Sequence, residues 1–193
     1  MPNSEEVKIY FDGVAREWDR IRQDYYGVEV INKALAAAGL HQAHQADLLI
    51  DVGCGTGFLS AGLAGYATRV VAIDDSPGML VVAQENMISL GLHNVELKPG
   101  SVSNLPIEGG QAEAVFANMV LHHAPDPQVM VREMARVAKP GGRIVITDLD
   151  THDKEWFKVE MADVWLGFSR DQMQAFMEGS GLTNFEFGWV GTQ

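Results

Sequence analysis

The tightest constraint on this chain is the passage from Leu48-Leu49-Ile50-Asp51-Val52 into Gly53-Cys54-Gly55-Thr56-Gly57. The first five residues are a short apolar run and read as a buried strand. Three glycines at alternate positions then let the chain turn sharply, with no Cβ to block the approach of a ligand. Residues 58–66 continue as a helical pattern, so the free N–H groups of that helix face the same space. Such a turn is sometimes only structural. Between an apolar strand and a helix it reads better as a ligand loop.

The same alternation continues downstream. Arg69-Val70-Val71-Ala72-Ile73-Asp74 is a second strand, and residues 77–90 are a helix with Pro77 in its first turn and Gly91 at its end. Val95-Glu96-Leu97 is a short third strand and Ala114-Val115-Phe116-Ala117 a fourth. Residues 126–138 are a helix, Pro140-Gly141-Gly142 a turn, and Arg143-Ile144-Val145-Ile146-Thr147 a fifth strand. Strands alternating with helices imply βαβ units, hence an α/β fold with a mostly parallel central sheet and helices on both faces. Ligands of such sheets bind beyond the carboxyl ends of the strands. That rule selects residues 53–57, 74–76, 100–102, 118–123 and 148–150.

Flanking this core, residues 7–40 read as helices with dense aromatics at Tyr10, Phe11, Trp18, Tyr25 and Tyr26. After the fifth strand come a helical stretch at 154–165, a helix at 171–178 and a last strand at 184–189. The 193 residues suit one domain: an N-terminal helical lid (1–40), a ligand-binding core (46–150) and a C-terminal substrate-side segment (151–193).

Charge narrows the partners. A net charge of −12 argues against nucleic acid, whose phosphates need clustered Lys and Arg, and against an anionic membrane. No apolar run approaches the ~18 residues of a membrane span, and the N-terminus lacks a signal-like apolar core. One cysteine, Cys54, permits no intramolecular disulfide and no Cys-rich metal site, which fits a cytoplasmic setting.

The glycine spacing bears on the ligand. A dinucleotide loop runs G-x-G-x-x-G, but the third glycine position here is Phe58, which disfavours a nicotinamide-dependent oxidoreductase. Asp74, about 20 residues on at the end of the second strand, suits a ribose because one carboxylate accepts from both hydroxyls. Its neighbour Asp75 is the competing choice, and both would be solvated if the loop were merely acidic.

At this point the chain resembles a class I S-adenosylmethionine (SAM)-dependent methyltransferase of the UbiE-like, type 11 small-molecule group. The resemblance rests on residues 49–57, on Asp74-Asp75-Ser76-Pro77-Gly78-Met79-Leu80, on Asn104-Leu105-Pro106, on Leu121-His122-His123 and on residues 133–142. Tyr10-Phe11-Asp12 and Glu17-Trp18-Asp19 add to it, so that it extends over about residues 8–190. It implies a Rossmann-like fold and SAM as cofactor. Gly53, Cys54, Gly55 and Gly57 would form the cofactor loop, with Asp51 orienting the SAM amine. Asp74 would bind ribose, with Asp75 beside it and Ser76 and Met79 near the nucleoside. Asn118 and Met119 would face the methionine part, and Trp18 would cover the site from the lid. The family usually has Gly-Asp after the third strand, where this chain has Gly100-Ser101. Ser101, or backbone near Val102, would have to replace that carboxylate at adenine.

A sulfonium methyl is already electrophilic, so the protein mainly aligns donor and nucleophile. A base is needed only where the acceptor must lose a proton. His122 and His123, just beyond the fourth strand, are the candidate catalytic residues. The plainer reading of His123 is packing under the Pro125-Asp126-Pro127 turn. Asp148, Asp150 and His152 stand close together in sequence but match no metal-ligand spacing, so no metal is expected. The N-terminal aromatics serve as a lid or as a docking face, and Phe11 and Trp18, seven apart, would share one helix face. Trp156, Phe157, Met161, Trp165 and Phe168 read as packing, with a share in the acceptor pocket.

Methyl transfer to a small molecule is the leading function. No Asn-Pro-Pro-Tyr-like run follows the fourth strand, as it would in many nucleic-acid amino-methylating enzymes, and an arsenite methyltransferase would need several cysteines. The alternative is a binding module of the same fold that holds SAM or a partner without turnover. Class I methyltransferases commonly end in an antiparallel strand pair, for which too few residues follow Trp189. The last strand is expected to be absent, short or supplied by another copy, and an exposed sheet edge there would favour a homodimer.

Overall fold

The computed structural model describes residues 2–41 and 45–190; the end of the expected terminal strand pair, residues 191–193, lies outside them. Five strands form an all-parallel sheet: β1 (Ala46–Val52), β2 (Ala67–Asp74), β3 (Val95–Pro99), β4 (Ala112–Asn118) and β5 (Ala138–Thr147), in the order β3-β2-β1-β4-β5. The winding direction reverses between β1 and β4, so a crevice opens beyond the carboxyl ends of these two neighbours.

Strand parity sorts the core. Leu48, Ile50 and Val52 of β1 join Val71, Ile73, Val115 and Ala117 on one face, under α6 (Pro127–Val137) and α8 (Arg170–Gly179). Leu49 points the other way with Val70 and Phe116, against α3 (Val28–Ala37) and α4 (Phe58–Leu63). Asp51 shares the parity of Leu49, which carries its carboxylate toward α4. The helix α5 (Pro77–Ser89) packs on β2 and β3.

Two details of the sheet refine the sequence reading. The Pro140-Gly141-Gly142 turn becomes a loop-out within β5: Ala138 pairs with Ala112, but Arg143 pairs with Ala114. Gly141, at φ +78°, supplies the left-handed step that this excursion requires. The outer edge of β5 has no strand partner among the described residues.

The flanking segments depart further from expectation. The N-terminal segment is broken into α1 (Ser4–Val14), α2 (Trp18–Ile21), a 3-10 turn (Arg22–Asp24) and α3. Phe11 and Trp18 therefore lie on different helices, and the turn between them brings their rings edge to face at 5.2 Å. The helix expected at 154–165 shrinks to one turn, α7 (Phe157–Glu160). The chain after it is pulled out of helix by the Val164 and Trp165 N–H groups, which donate to the His122 carbonyl. The strand expected at 184–189 does not form. Asn184 takes a left-handed φ of +57°, and the Phe187 and Trp189 rings lie beneath the Arg170 guanidinium at 5.9 and 5.5 Å, instead of joining a sheet edge.

Candidate active site

The crevice at the β1–β4 switch point is a cleft of about 970 Å³, open to solvent. Its floor is the glycine loop. Gly53 and Gly55 adopt φ +68° and +53°, and a Cβ on Gly53 would come within 2.3 Å of Val120. The Gly53 and Cys54 N–H groups both donate to the Ile73 carbonyl, tying the loop to the end of β2. Cys54 lies buried in this turn, and burial pushes its thiol up, so it is a protonated packing group.

Two carboxylates flank the loop. Asp51, 1% exposed, accepts a short hydrogen bond from the Ser60 hydroxyl of α4. Burial raises its pKa to about 7 against that hydrogen bond, with the Asp74 charge adding to the rise. Asp74 ends β2 and accepts from the Gly55 N–H at 2.8 Å and from the Ser76 N–H at 3.0 Å. Burial still lifts it to about 6. Asp75 is exposed at the rim of the same cleft.

Most of the residues expected at the cofactor do meet here. Trp18, Asp51, Gly53, Cys54, Gly55, Asp74, Asp75, Met79, Ser101, Val102, Asn118 and Met119 all line the cleft. Gly57 and Ser76 stand behind it. Gly57 caps α4 at φ +84°, where a Cβ would meet the Met87 side chain at 2.8 Å, so it sets how closely α4 approaches α5. The Ser76 hydroxyl accepts from the Met79 N–H, capping α5, and donates to Asp12. Ser101 accepts from the Ser103 N–H at 3.2 Å. Met119 holds a left-handed φ of +56°, and its N–H donates to the Thr147 carbonyl.

Two acidic residues close the N-terminal segment over this floor. Asp12 accepts from the Ser76 hydroxyl at 2.6 Å and the Gly78 N–H at 2.9 Å, pinning α1 to the start of α5. Asp19 accepts from the Thr56 hydroxyl at 2.8 Å, the Arg22 guanidinium at 3.0 Å and the Asn86 amide at 3.1 Å. Trp18 is thereby held over Gly55, and the Arg22 guanidinium stacks 3.8 Å above Phe58. Sequence reading placed Asp12 and Asp19 inside recognisable runs but gave them no task. Their clustering with Ser76, Gly78 and Thr56 exists only in three dimensions.

The histidine pair divides. His123 lines the cleft, edge to face with Phe11 at 4.9 Å. His122 turns into a smaller, narrow chamber that shares Trp18, Tyr26, Met119 and His123 with the cleft. Its Nδ1 lies 2.7 Å from Asp148 Oδ1, and Asp148 also accepts from the Leu121 and Leu149 N–H groups. Its Nε2 lies 3.6 Å from Asp163. Burial opposes the charged form of His122, but Asp148 and then Asp163 outweigh it and raise the pKa. His123 is held neutral by burial and by its neighbour's charge. Burial lifts Asp163 to about 6. Asp150 is exposed and paired by backbone with Phe168, so the Asp148, Asp150 and His152 side chains do not form a group.

The sequence of the core matches a methyltransferase domain profile over residues 50–146, half of the chain. The chain belongs to the methyltransferase domain family. The domain is of the class I, Rossmann-like, SAM-dependent type. Over 158 residues, 79% of the chain, it is 32% identical to a demethylmenaquinone methyltransferase of Mycolicibacterium vanbaalenii. Over 106 residues, 53% of the chain, it is 33% identical to an arsenite methyltransferase of Halobacterium salinarum. It spans 64% and 27% of the length of these two relatives. In fold it is similar to a SAM-dependent methyltransferase from Aquifex aeolicus, with a TM-score of 0.66 and 23% identity, covering 94% of this chain and 89% of that one.

The methyltransferase domain's own residues fit the cofactor of its family. Asp51, buried, and Asp74, half-buried, both with raised pKa values, face a cleft whose floor is opened by glycines at 53 and 55. Such groups suit a ligand bearing an ammonium and a pair of hydroxyls. Among the described residues no helix is long and apolar enough to cross a membrane.

Proposed function

We propose that the cleft holds SAM and that the chain transfers its methyl group to a small-molecule acceptor in the adjoining chamber. The observation that carries this reading is the pair Asp51, buried, and Asp74, half-buried, on either side of the glycine loop and each without a cationic partner. In this reading Asp51 takes the ammonium and Asp74 the ribose hydroxyls, with Asp75 at the rim. Backbone of Gly53, Cys54 and Gly55 bounds the methionine part together with Asn118 and Met119. Met79 and Val102 sandwich the base. The Ser101 oxygen already accepts from the Ser103 N–H, which leaves its hydroxyl hydrogen for an adenine nitrogen. Trp18 closes the top. Gly57 and Ser76 act through helix placement.

SAM supplies an electrophilic methyl group, so the protein's part is alignment and exclusion of water. His123 borders both cavities and is the histidine that touches the acceptor; His122 stands behind it in the chamber. The chamber is otherwise walled by Trp18, Tyr25, Tyr26, Leu149, Phe157, two methionines and Asp163, which suits the edge of a flat, largely apolar molecule carrying one polar group, its body lying toward the shared cleft. A phenol or hydroquinone meets that description, and the demethylmenaquinone methyltransferase relative points the same way. Arsenite is disfavoured, because the single cysteine lies in the cofactor loop. A cytoplasmic setting and a homodimer through the open β5 edge belong to the same reading, supported respectively by the lone thiol and the unpaired strand. Sedimentation at two concentrations tests the second.

Incubation of the purified chain with methyl-labelled SAM and a panel of phenols, hydroquinones, amines and thiols tests transfer. A labelled phenol or hydroquinone product is expected. SAM binding with no labelled product from any acceptor class would favour the binding-module reading.

A further inference from the structure

The chamber contains a group of side chains that methyl transfer alone does not account for. His122, His123 and Asp163 each offer one donor atom, all three atoms lying within 4.8 Å of one another. Their side chains are 4%, 9% and 1% exposed. Both Asp163 oxygens are buried without a hydrogen-bond donor, an arrangement that leaves a carboxylate strongly destabilised.

The surroundings are those of a ligand set. Asp148 sits 2.7 Å from His122 Nδ1 and accepts its proton, leaving the Nε2 lone pair toward Asp163, 3.6 Å away. A carboxylate on the far nitrogen is the usual support of a metal-binding imidazole. His123 Nδ1 lies 3.9 Å from the same Asp163 oxygen and donates to the Ala162 carbonyl at 3.2 Å, so a bound ion would take the place of that proton, which moves to Nε2. Ala162 presents that carbonyl from a left-handed φ of +58°, a strained conformation for a residue with a Cβ. Ligands about 2.0–2.2 Å from a tetrahedral ion stand roughly 3.3–3.6 Å apart, so the 3.6 and 3.9 Å separations of the two histidine nitrogens from Asp163 need only small adjustment.

We propose that His122 Nε2, His123 Nδ1 and Asp163 hold a divalent cation of the zinc type at the wall of the acceptor chamber, with Asp148 as the supporting carboxylate. Two nitrogens and one carboxylate are the donor set of a zinc site that keeps a position open, and the chamber supplies the space for it. The site also unites features that are far apart in sequence. Backbone hydrogen bonds from Val164 and Trp165 to the His122 carbonyl fix the segment bearing Asp163 against the histidines. Resting on the methyl-transfer reading, the ion's role would be to draw in an acceptor hydroxyl and ease loss of its proton to water before the oxygen displaces the methyl from sulfur.

The competing explanation is a proton instead of a cation, with His122 charged between Asp148 and Asp163. Titration of the untagged, chelator-treated chain with Co²⁺ and Zn²⁺ separates the two, followed by the visible spectrum of Co²⁺ and by calorimetry. One ion per chain is expected, with absorption of a low-symmetry four- or five-coordinate site. Asp163→Asn and His122→Asn are expected to weaken binding at least ~100-fold, and Asp148→Asn about 10–100-fold. The exposed His93→Asn should leave it unchanged. Circular dichroism and SAM binding report whether each variant is folded, and the wild-type titration stands even if one is not. Absence of a bound ion in the folded wild type overturns the proposal, as does an ion whose affinity survives both ligand substitutions. SAM affinity is read separately, so failure of the cofactor reading would leave the metal result interpretable.

Discussion

At the scale of single residues, the glycine loop and its two carboxylates make the sharpest commitments. A methyl group on Gly53 would meet Val120 at 2.3 Å and would have to sit at φ +68°. Gly53→Ala is therefore expected to cost about 1–3 kcal/mol of stability and to weaken SAM binding, by thermal melting and calorimetry. Gly13→Ala is the matched control: nothing lies within 4 Å of a Cβ there, so stability should hold or rise slightly. Asp51, raised to about 7, and Asp74, raised to about 6, also fix a pH dependence. Both are partly protonated below neutrality in the free protein, whereas an ammonium and ribose hydroxyls favour the ionised forms. SAM affinity should thus fall as pH drops from 8 through 7 and more steeply through 6, and Asp51→Asn should flatten the upper part of that curve. Linkage gives the free protein the opposite trend. A carboxyl whose folded pKa is raised contributes stability below its unfolded pKa and loses it as pH rises through the folded one. The ligand-free domain should melt lower at pH 8 than at pH 6 insofar as Asp51 and Asp74 decide it, and SAM should reverse the difference.

At the scale of elements, Asp12 and Asp19 pin the N-terminal segment over the cleft, and the proposal that this segment is a lid is open to test. Removing the three hydrogen bonds of Asp19 by Asp19→Ala should speed amide exchange across residues 4–26, leave β1, β2 and β4 protected, and weaken SAM binding about 10-fold, equivalent to ~1.4 kcal/mol. Uniform loss of protection would instead mean that the segment is part of the core. This division between core and periphery is also where sequence reading succeeds and stops. The β1, β2 and β4 runs were legible because both sheet faces are covered, and a doubly buried strand must be continuously apolar. The glycine loop was legible because turn and helix start adjoin in sequence. The 154–165 segment was not, because its helical pattern is overridden by hydrogen bonds to the His122 carbonyl, a partner some 40 residues away. The two histidines were legible as candidates, but their meeting with Asp163 was hidden for the same reason: it lies some 40 residues on, and spacing along the chain carries no trace of the contact.

At the scale of the whole molecule, the parts reinforce one reading. Reversal of strand order puts a cleft beside β1 and β4, parity turns Asp51 toward α4, and the N-terminal segment holds Trp18 over Gly55. The strongly acidic chain, at −12, suits a cationic cofactor and a small acceptor better than a polyanionic partner. The most direct measurement is calorimetric titration of the purified chain with SAM at pH 7.5, alongside NAD and the Asp74→Ala variant. Saturable binding of one SAM per chain, no binding of NAD, and a loss of at least ~10-fold on Asp74→Ala are expected, since charge-assisted hydrogen bonds to two hydroxyls are removed. No SAM binding by the folded wild type, or binding indifferent to Asp74, would contradict the assignment of this cleft.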